Sequence, residues 1–407
     1  MVYKEAMIWR SAALSMGFVL ATSALAAGSP ETATSSTGSA DDAVLGELPF
    51  LPGDEPNRIL IDLAPGGYRP FRMMVDTGAT DSVLTPGYAR KLGVNIRTVQ
   101  DRPYQQATRL GRDLQFWVDV RGSDTGSKTG FEYGLLGGTF LRDYVVELDF
   151  GRRRVRFLDP GRYQVPETFE NENEASIPIK VVANRPYFEL SVGQSNLAVL
   201  LDTGAPLTGV LSGAAAQKVG LRSTALAGLR LGSVVGPVEV EFSEAESLRL
   251  GPFDLTNVPL FVAPKGWYNI AGSTDSVVGY DVLAQFVVRI DYPRQRLWLQ
   301  RRAGAEITFG GEPYARQRRA GVLVYAKSNG LAVAGLFPDS PAVRLGLRPG
   351  DVLVPAGGEK TEDFGAKVLQ AVATGKEVTV ARQINGAWVD LALPSSAGDS
   401  TSDEPKN

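Results

Sequence analysis

The sequence predicts a mainly β protein, built from two copies of one β-barrel lobe and followed by a small α+β domain. With 45 Gly and 25 Pro among 407 residues, the chain has the turn-rich content that favours β structure. Short apolar runs lie between these turn residues, as at 59–61, 73–75 and 145–146, and runs of this length predict strands. A pair of repeated motifs predicts the duplication.

Two sequence motifs each occur twice, in the same order. VDTGATDSVL at 75–84 returns as LDTGAPLTGVL at 201–211. Downstream, LLGGTFLRDYVVELDF at 135–150 returns as VVGYDVLAQFVVRIDY at 277–292. We therefore predict a first lobe over 49–165 and a second over 166–305, because two anchors recurring in one order indicate an internal repeat.

The chain contains no histidine and no cysteine. This absence excludes Ser-His-Asp triads, Cys-His pairs, histidine-built zinc sites and disulfide frameworks. A general base must then be a carboxylate, a lysine or a tyrosine. The formal net charge of −3 argues against a nucleic-acid partner, which usually selects a basic excess. We predict no cofactor and no metal.

The N-terminal 26 residues predict an export signal. Lys4 and Arg10 give a positive start, residues 11–20 are mostly small and apolar, and Ala24-Leu25-Ala26 forms a cleavage site. Residues 27–48 begin with a stretch rich in Ser, Thr, Ala and Gly and predict a flexible linker. We expect a periplasmic or secreted protein that keeps no transmembrane span; an uncleaved anchor near a membrane is the alternative.

Each copy of the first motif places an aspartate between an apolar strand and Thr-Gly-Ala, at Asp76 and at Asp202. Glycine allows the backbone to approach closely, and the Thr hydroxyl can lock the turn. If the copies pack around a pseudo-twofold axis, the two carboxylates meet and share a proton. One can then act as base on a water and the other as acid towards a carbonyl, without His, Cys or metal.

These turns, together with Leu135-Leu136-Gly137 and Val277-Val278-Gly279, resemble the aspartic peptidases of the retropepsin-like group over roughly residues 55–300. Because both motifs lie in one chain, the protein also resembles the pepsin-like enzymes. The resemblance implies an endopeptidase that hydrolyses protein or peptide substrates through water activated by Asp76 and Asp202. It also implies residues that support the catalytic loops: Thr77, Gly78, Thr203, Gly204, Gly137 and Gly279.

The resemblance has gaps. Where viral relatives often carry an acidic substrate contact, this chain has Thr80 and Pro206. Candidates for the flap that covers the cleft in the family are 101–113, with Tyr104, and 229–239, with Gly232 and Gly236. Two alternatives to a single-chain peptidase stay open: an inert peptide-binding adaptor, and a peptidase active only as a dimer.

Residues 306–395 show a different pattern. Ser340-Pro341-Ala342 predicts a capped helix start, Gly346 a helix end, and 348–351 a turn into a strand. The stretch resembles a PDZ domain of the type associated with bacterial proteases. It implies that a peptide C terminus binds beside a helix at 364–373, with its carboxylate held at Ala320, Gly321, Val322 and Leu323. The alternative is a spacer or docking module. The polar tail at 396–407 predicts disorder.

Overall fold

The computed structural model describes residues 39–395, except 53–56, 64–69, 85–87, 89–103, 108–112, 119–132, 168–170, 234–235, 265–266, 268–275, 306–311, 328 and 356–360. The predicted export signal, most of the predicted linker and the predicted disordered tail lie outside the described residues. The prediction of a mainly β protein is confirmed, since strands far outnumber helices in the described chain.

The first repeat forms a six-stranded sheet in the order β2-β3-β7-β4-β6-β5. Its strands are β2 (Leu60–Leu63), β3 (Phe71–Val75), β4 (Ser82–Leu84), β5 (Tyr104–Ala107), β6 (Asp113–Val118) and β7 (Gly134–Leu136). Helix α1 (Gly138–Leu141) follows β7. Strand β3 runs parallel to β7, with Val75 opposite Leu136, so the strand that leads into Asp76 lies against the second motif.

The second repeat uses the same arrangement. Its strands are β11 (Lys180–Val182), β12 (Arg185–Val192), β13 (Ser195–Leu201), β14 (Gly209–Ser212), β15 (Ser223–Ser233), β16 (Gly236–Leu250), β17 (Phe253–Ala263) and β18 (Val277–Val278), with helices α2 (Gly213–Lys218) and α3 (Tyr280–Leu283). Strand β13 runs parallel to β18, with Leu201 opposite Val278. Both Asp-Thr-Gly turns therefore leave equivalent strand ends.

A third sheet joins the two repeats, in the order β1-β9-β8-β19-β20-β10. Its strands are β1 (Val44–Pro49), β8 (Val145–Asp149), β9 (Arg154–Leu158), β10 (Glu174–Pro178), β19 (Phe286–Asp291) and β20 (Arg296–Arg301). In its centre β8 pairs antiparallel with β19, so the second motif of each repeat meets its counterpart. One apolar core cluster contains residues of both repeats, which fixes the repeats against each other.

The predicted linker at 27–48 is wrong in its last part. A short 3-10 helix at Asp41–Ala43 precedes β1, which pairs with β9. Ala43 is fully buried, and Leu48 packs against the main core. Gly46 and Glu47 interrupt the apolar run, so the segment has little strand signal of its own, and pairing with an existing sheet edge stabilises it.

The C-terminal part has its own apolar core. Its elements are α4 (Glu312–Ala320), β21 (Val322–Lys327), β22 (Gly330–Leu336), α5 (Pro341–Arg344), β23 (Val352–Leu353), α6 (Thr361–Ala373), β24 (Val378–Ile384) and β25 (Ala387–Leu393). As the sequence predicts, Ser340 Oγ accepts a hydrogen bond from Val343 N at 3.3 Å, and Gly346 follows the helix with a φ of +78°. This capping explains why α5 begins at Pro341.

The sequence pattern predicts no helix at Glu312–Ala320, where the structure has α4. Its sequence is rich in Arg, Gln and Ala, which are good helix formers, but it lacks the apolar stripe that makes a helix recognisable. Two basic residues, Arg318 and Arg319, lie in its last turn, where they complement the helix dipole.

None of the helices in the described parts of the chain is long and apolar enough to cross a membrane. Within the same residues, no group of three or more acidic side chains is placed to hold a metal ion.

Candidate active site

The two aspartates are anchored by the strands that precede them and by the second motif of their own repeat. Asp76 N donates a hydrogen bond to Leu136 O at 3.0 Å, and Asp202 N donates to Val278 O at 2.9 Å. Because β7 and β18 are themselves held in the sheets, each turn begins at a fixed position. The apolar strands of the two repeated motifs thus determine where Asp76 and Asp202 lie.

Each carboxylate accepts hydrogen bonds from the backbone of its own turn. Gly78 N and Ala79 N both donate to Asp76 Oδ1 at 3.0 Å. Gly204 N donates to Asp202 Oδ1 at 2.8 Å. These bonds orient one oxygen of each carboxylate inwards and favour its charged form.

Each turn glycine lies against the carboxylate of the other repeat. A Cβ atom added at Gly78 would lie 2.5 Å from Cγ of Asp202, and one added at Gly204 would lie 2.7 Å from Cγ of Asp76. Only a residue without a side chain allows this approach. The carboxyl groups of Asp76 and Asp202 are also in hydrogen-bond contact with each other, so the predicted pair is assembled within one chain.

The two threonines tie the turns together across the repeats. Thr77 Oγ1 donates to Leu201 O at 2.6 Å, and Thr203 Oγ1 donates to Val75 O at 2.7 Å. Each hydroxyl also accepts from the other threonine's backbone N–H, at 3.1 and 3.0 Å. Both side chains are fully buried, where unmade hydrogen bonds are costly, so this reciprocal network holds the two turns in register.

The glycines of the second motif lie directly behind the turns. A Cβ at Gly137 would lie 2.2 Å from Asp81 O, and one at Gly279 would lie 2.3 Å from Leu207 O. The residues that follow them, Gly138 and Tyr280, donate backbone hydrogen bonds of 2.8 Å to Ala79 O and Ala205 O. The predicted support of the turns by Gly137 and Gly279 therefore has a direct geometric basis.

The electrostatics of the pair are asymmetric. Burial, reinforced by the negative charge of Asp76, raises the pKa of Asp202 to about 8. Burial also raises the pKa of Asp76, but its two backbone hydrogen bonds and the positive charge of Arg58 oppose the rise. Two carboxyl groups in contact share one proton. Because Asp76 accepts two backbone hydrogen bonds and lies near the charge of Arg58, we assign the negative charge to Asp76 and the shared proton to Asp202.

An Asn-Arg dipeptide at 57–58, just before β2, also reaches the site, and our sequence interpretation missed it. Arg58 Nη1 donates to Gly204 O at 2.9 Å, and Asn57 Nδ2 donates to Asp281 Oδ1 at 2.7 Å. The same dipeptide recurs at 184–185, and Asn184 approaches the first repeat, with its Nδ2 3.5 Å from Thr80 O. The recurrence of the dipeptide in both repeats could have identified these residues. Two polar residues outside the apolar motifs are, however, a weak sequence pattern.

The second arginine of this pair, Arg185, is completely buried. Its guanidinium lies 5.6 Å from the ring centre of Tyr187 and makes no hydrogen bond within the described residues. Arg58, in contrast, contacts the turn of the other repeat. The two arginines are equivalent in sequence but not in environment, and this difference contributes to the asymmetry of the carboxyl pair.

We expect Arg58→Gln to lower kcat about tenfold, because it removes a charge-assisted hydrogen bond and a positive charge close to Asp76. The pKa of Asp76 should rise, so the acid limb of the rate–pH profile should move to higher pH. Steady-state kinetics from pH 3 to 9 measure both effects. Lys218→Gln, which removes an exposed charged hydrogen bond to Asn196 O of 2.9 Å, is the matched control. An unchanged profile in Arg58→Gln would contradict the positioning role.

The residues predicted to hold a peptide carboxylate are buried, Ala320 and Val322 in the C-terminal core and Leu323 in the cluster that includes the hairpin. Ala320 and Val322 are fully buried, and Leu323 nearly so. Gly321 has a φ of +72°, and its missing side chain makes room for Ser340. Its N–H already donates to Arg318 O at 3.0 Å. The carboxylate-binding role stays a prediction.

The two candidate flap segments differ in how much of them is described. The segment 101–113 lies mostly outside the described residues; Tyr104 begins β5, whose side chains are not described. The segment 229–239 belongs to the long hairpin of β15 and β16. Leu231 and Val238 of this hairpin pack against the same apolar cluster as Ala205 and Leu207, which follow Asp202. The second candidate therefore shares an apolar cluster with the turn.

Parts of the chain are similar to known proteins. Residues 188–282 match the family model described as aspartyl protease, a segment that contains Asp202, the hairpin and Gly279. A retropepsin-like aspartic protease from Rickettsia conorii is similar in structure, with 22% identity over 31% of this chain and 90% of that chain, at a TM-score of 0.24. EIAV protease complexed with the inhibitor HBY-793 is similar with 27% identity over 24% and 85%, at 0.20. No curated protein matches the chain. The second repeat is thus aspartyl-protease-like in sequence.

Proposed function

We propose that this protein is an exported, single-chain aspartic endopeptidase whose two repeats each supply one catalytic aspartate. The observation that carries the proposal is the reciprocal contact of the two turns, in which each glycine lies against the opposite carboxylate. The family match of the second repeat supports the same chemistry. The first repeat completes the pair with an equivalent turn.

In the proposed reaction, a water molecule bound between the carboxyl groups is the nucleophile. Asp76, the charged member, takes a proton from the water while the water oxygen attacks the carbonyl carbon of the scissile bond. Asp202, the protonated member, donates its proton to the carbonyl oxygen. The tetrahedral intermediate then collapses as its hydroxyl returns a proton to Asp202 and the leaving nitrogen takes the proton held by Asp76. No covalent enzyme intermediate forms.

Incubation of the purified protein with an unfolded protein tests the proposal. We expect new peptide termini by mass spectrometry, with one ¹⁸O atom in each new carboxyl group when the solvent is H₂¹⁸O. An added amine nucleophile should not be incorporated, because no acyl-enzyme is available to trap. Binding of the unfolded protein without cleavage would instead favour the adaptor function.

The rate of hydrolysis should depend on pH in a way set by the shared proton. The active form carries one proton on the pair, and Asp202, with a pKa of about 8, loses it as the pH rises through that value. We therefore expect kcat/KM to fall tenfold for each pH unit above about 8. Stability should follow the same window: the folded-state pKa lies above the unfolded value of 3.8, so the free energy of unfolding falls as pH rises from about 4 to 8.

Initial rates and thermal unfolding from pH 3 to 10 measure these two effects. Asp202→Asn has no proton to lose at this position, and its unfolding free energy should vary less over the same window. A rate that keeps rising beyond pH 9 would contradict the shared proton.

We further propose export to the periplasm or exterior, supported by the N-terminal charge, apolar run and Ala24-Leu25-Ala26 site. The C-terminal part is proposed as a PDZ domain that recognises a substrate or partner peptide. The capped helix at Ser340 and the helix at 361–373 support this assignment. Secretion of the full chain, followed by N-terminal sequencing of the exported protein, tests the first of these proposals.

A further inference from the structure

Strand β21 is an edge strand whose outer side is occupied by a helix. Among the described residues, β21 pairs only with β22. The backbone N–H of Val324 in this strand donates instead to Oε1 of Gln317, at 2.9 Å. Gln317 lies on α4, the helix that immediately precedes β21 in the chain. One strand-pairing group of the edge is therefore already bonded to a side chain.

Helix α4 contacts both β21 and α6. Its last residue, Ala320, is fully buried in the apolar cluster that contains Phe364, Val368 and Leu369 of α6. The helix thus fills the space beside β21 that faces α6. A peptide that adds to a sheet edge needs both the free backbone groups of the edge strand and the groove beside it. In this structure α4 occupies one of these backbone groups, the N–H of Val324, and contacts the elements on both sides of the groove.

The same helix is tied to the hairpin of the second repeat. Arg318 Nη1 lies 2.6 Å from Glu244 Oε2 on β16. The C-terminal part also contacts this hairpin through the sheet, where Leu336 of β22 pairs with Ala227 of β15. The rings of Phe242 and Phe337 meet at 5.6 Å. Movement of α4 would therefore act directly on the hairpin.

The hairpin in turn packs towards Asp202. One apolar cluster contains Leu226, Leu229 and Phe242 of the hairpin and Leu323 of β21, and Ala205 and Leu207 pack against it. Ala205 and Leu207 belong to the turn that carries Asp202. A continuous set of contacts thus leads from α4, through the hairpin, to the proposed active site.

We propose that α4 is an internal plug that keeps the groove between β21 and α6 closed and holds hairpin β15–β16 in place. A peptide with a free C-terminal carboxylate displaces α4, pairs with β21 and breaks the tie between Arg318 and Glu244. The released hairpin then admits substrate more readily. The proposal that α4 closes the groove depends only on its contacts with β21 and α6. The proposed effect on cleavage rests on the proposed peptidase function.

Peptide binding tests the closed groove without relying on catalysis. The full chain with Asp76→Asn is used, so that probes are not cut, and the probe is a pool of fluorescein-labelled decapeptides with degenerate last four residues and a free carboxylate. Adding Gln317→Ala should tighten binding about fivefold in fluorescence polarisation, because one hydrogen bond that holds the plug is lost. Gln383→Ala, an exposed glutamine on β24, is the matched control and should bind as weakly as the parent.

A stronger variant, Gln317→Pro, breaks α4 itself and should tighten binding further, provided that its thermal unfolding shows a folded protein. The amidated form of the same pool should bind more weakly than the free carboxylate. Equal affinity of parent and Gln317→Ala, or no binding to any folded variant, would overturn the plug.

Cleavage by the active chain tests the tie to the hairpin. Arg318→Glu places like charges together and should raise kcat/KM on an unfolded protein about threefold, while the swapped pair Arg318→Glu with Glu244→Arg should restore the parent rate. Unchanged rates in Arg318→Glu would overturn the coupling. If no variant hydrolyses anything, the proposed function fails, while the binding results still decide whether α4 closes the groove.

Discussion

Replacement of either Asp76 or Asp202 by Asn is expected to lower kcat by at least about 1,000-fold, because each removes one half of a paired acid–base device. Asn has nearly the shape of Asp and keeps an oxygen. The hydrogen bonds that Gly78 and Gly204 donate to the carboxylates, at 3.0 and 2.8 Å, can therefore persist. The loss should appear in kcat, while the folded structure is retained.

Fragment release from an unfolded protein, followed by mass spectrometry, measures the effect of both variants. Asp254→Asn is a suitable control because Asp254 is exposed and pairs only with Arg249 among the interactions of the described residues. Circular dichroism and thermal unfolding establish that each variant is folded. Parent-level turnover by either folded dyad variant would exclude a reaction that needs both carboxyl groups.

The second large effect is expected from Gly78→Ala and Gly204→Ala. The new methyl group at position 78 would lie 2.5 Å from Cγ of Asp202, and the one at 204 would lie 2.7 Å from Cγ of Asp76. Since these distances are far below a normal contact, one carboxylate must move. A displacement of about 1 Å at a catalytic group can cost about 100-fold in rate, and we expect at least this loss in kcat for each variant.

The two glycine variants should also change the pH dependence of the rate, and this effect is measured independently of the loss of activity. Each variant should affect the carboxyl group of the opposite repeat. In Gly78→Ala it is Asp202 that is displaced, so the alkaline limb of the rate–pH profile should shift; in Gly204→Ala the acid limb should shift. Gly213→Ala is the control, because a Cβ at Gly213 meets only Ala263 O, at 3.8 Å, which is an ordinary contact distance. Wild-type kinetics in both turn variants would mean that the repeats do not meet as described.

The sequence was sufficient for the two turns because their chemistry is local. An apolar strand followed by Asp-Thr-Gly-Ala specifies its own geometry, and Asp76 and Asp202 lie where the motif places them. The support by Gly137 and Gly279 was equally accessible, since each belongs to a repeated motif. What a sequence pattern cannot give is the orientation of one repeat against the other, on which contacts such as Thr77 Oγ1 to Leu201 O depend.

The features that the sequence did not predict are stabilised by distant partners. Strand β1 pairs with β9, more than a hundred residues away in the chain, and little in its own composition favours a strand. Helix α4 has a polar sequence, and among its residues 315–320 only Ala320 is completely buried. Arg58 acts on a turn of the other repeat. Each gains its structure or role from tertiary contacts, which override weak local propensity.

The sheet shared by the two repeats has a consequence for how the chain can be divided. All five residues of β8 are buried, and its partner β19 comes from the other half of the molecule. A fragment that ended between the repeats would expose the backbone edge of this strand to solvent, and such edges recruit other chains. A single repeat produced alone should therefore self-associate through β8 or aggregate, and the two repeats should unfold in one cooperative transition.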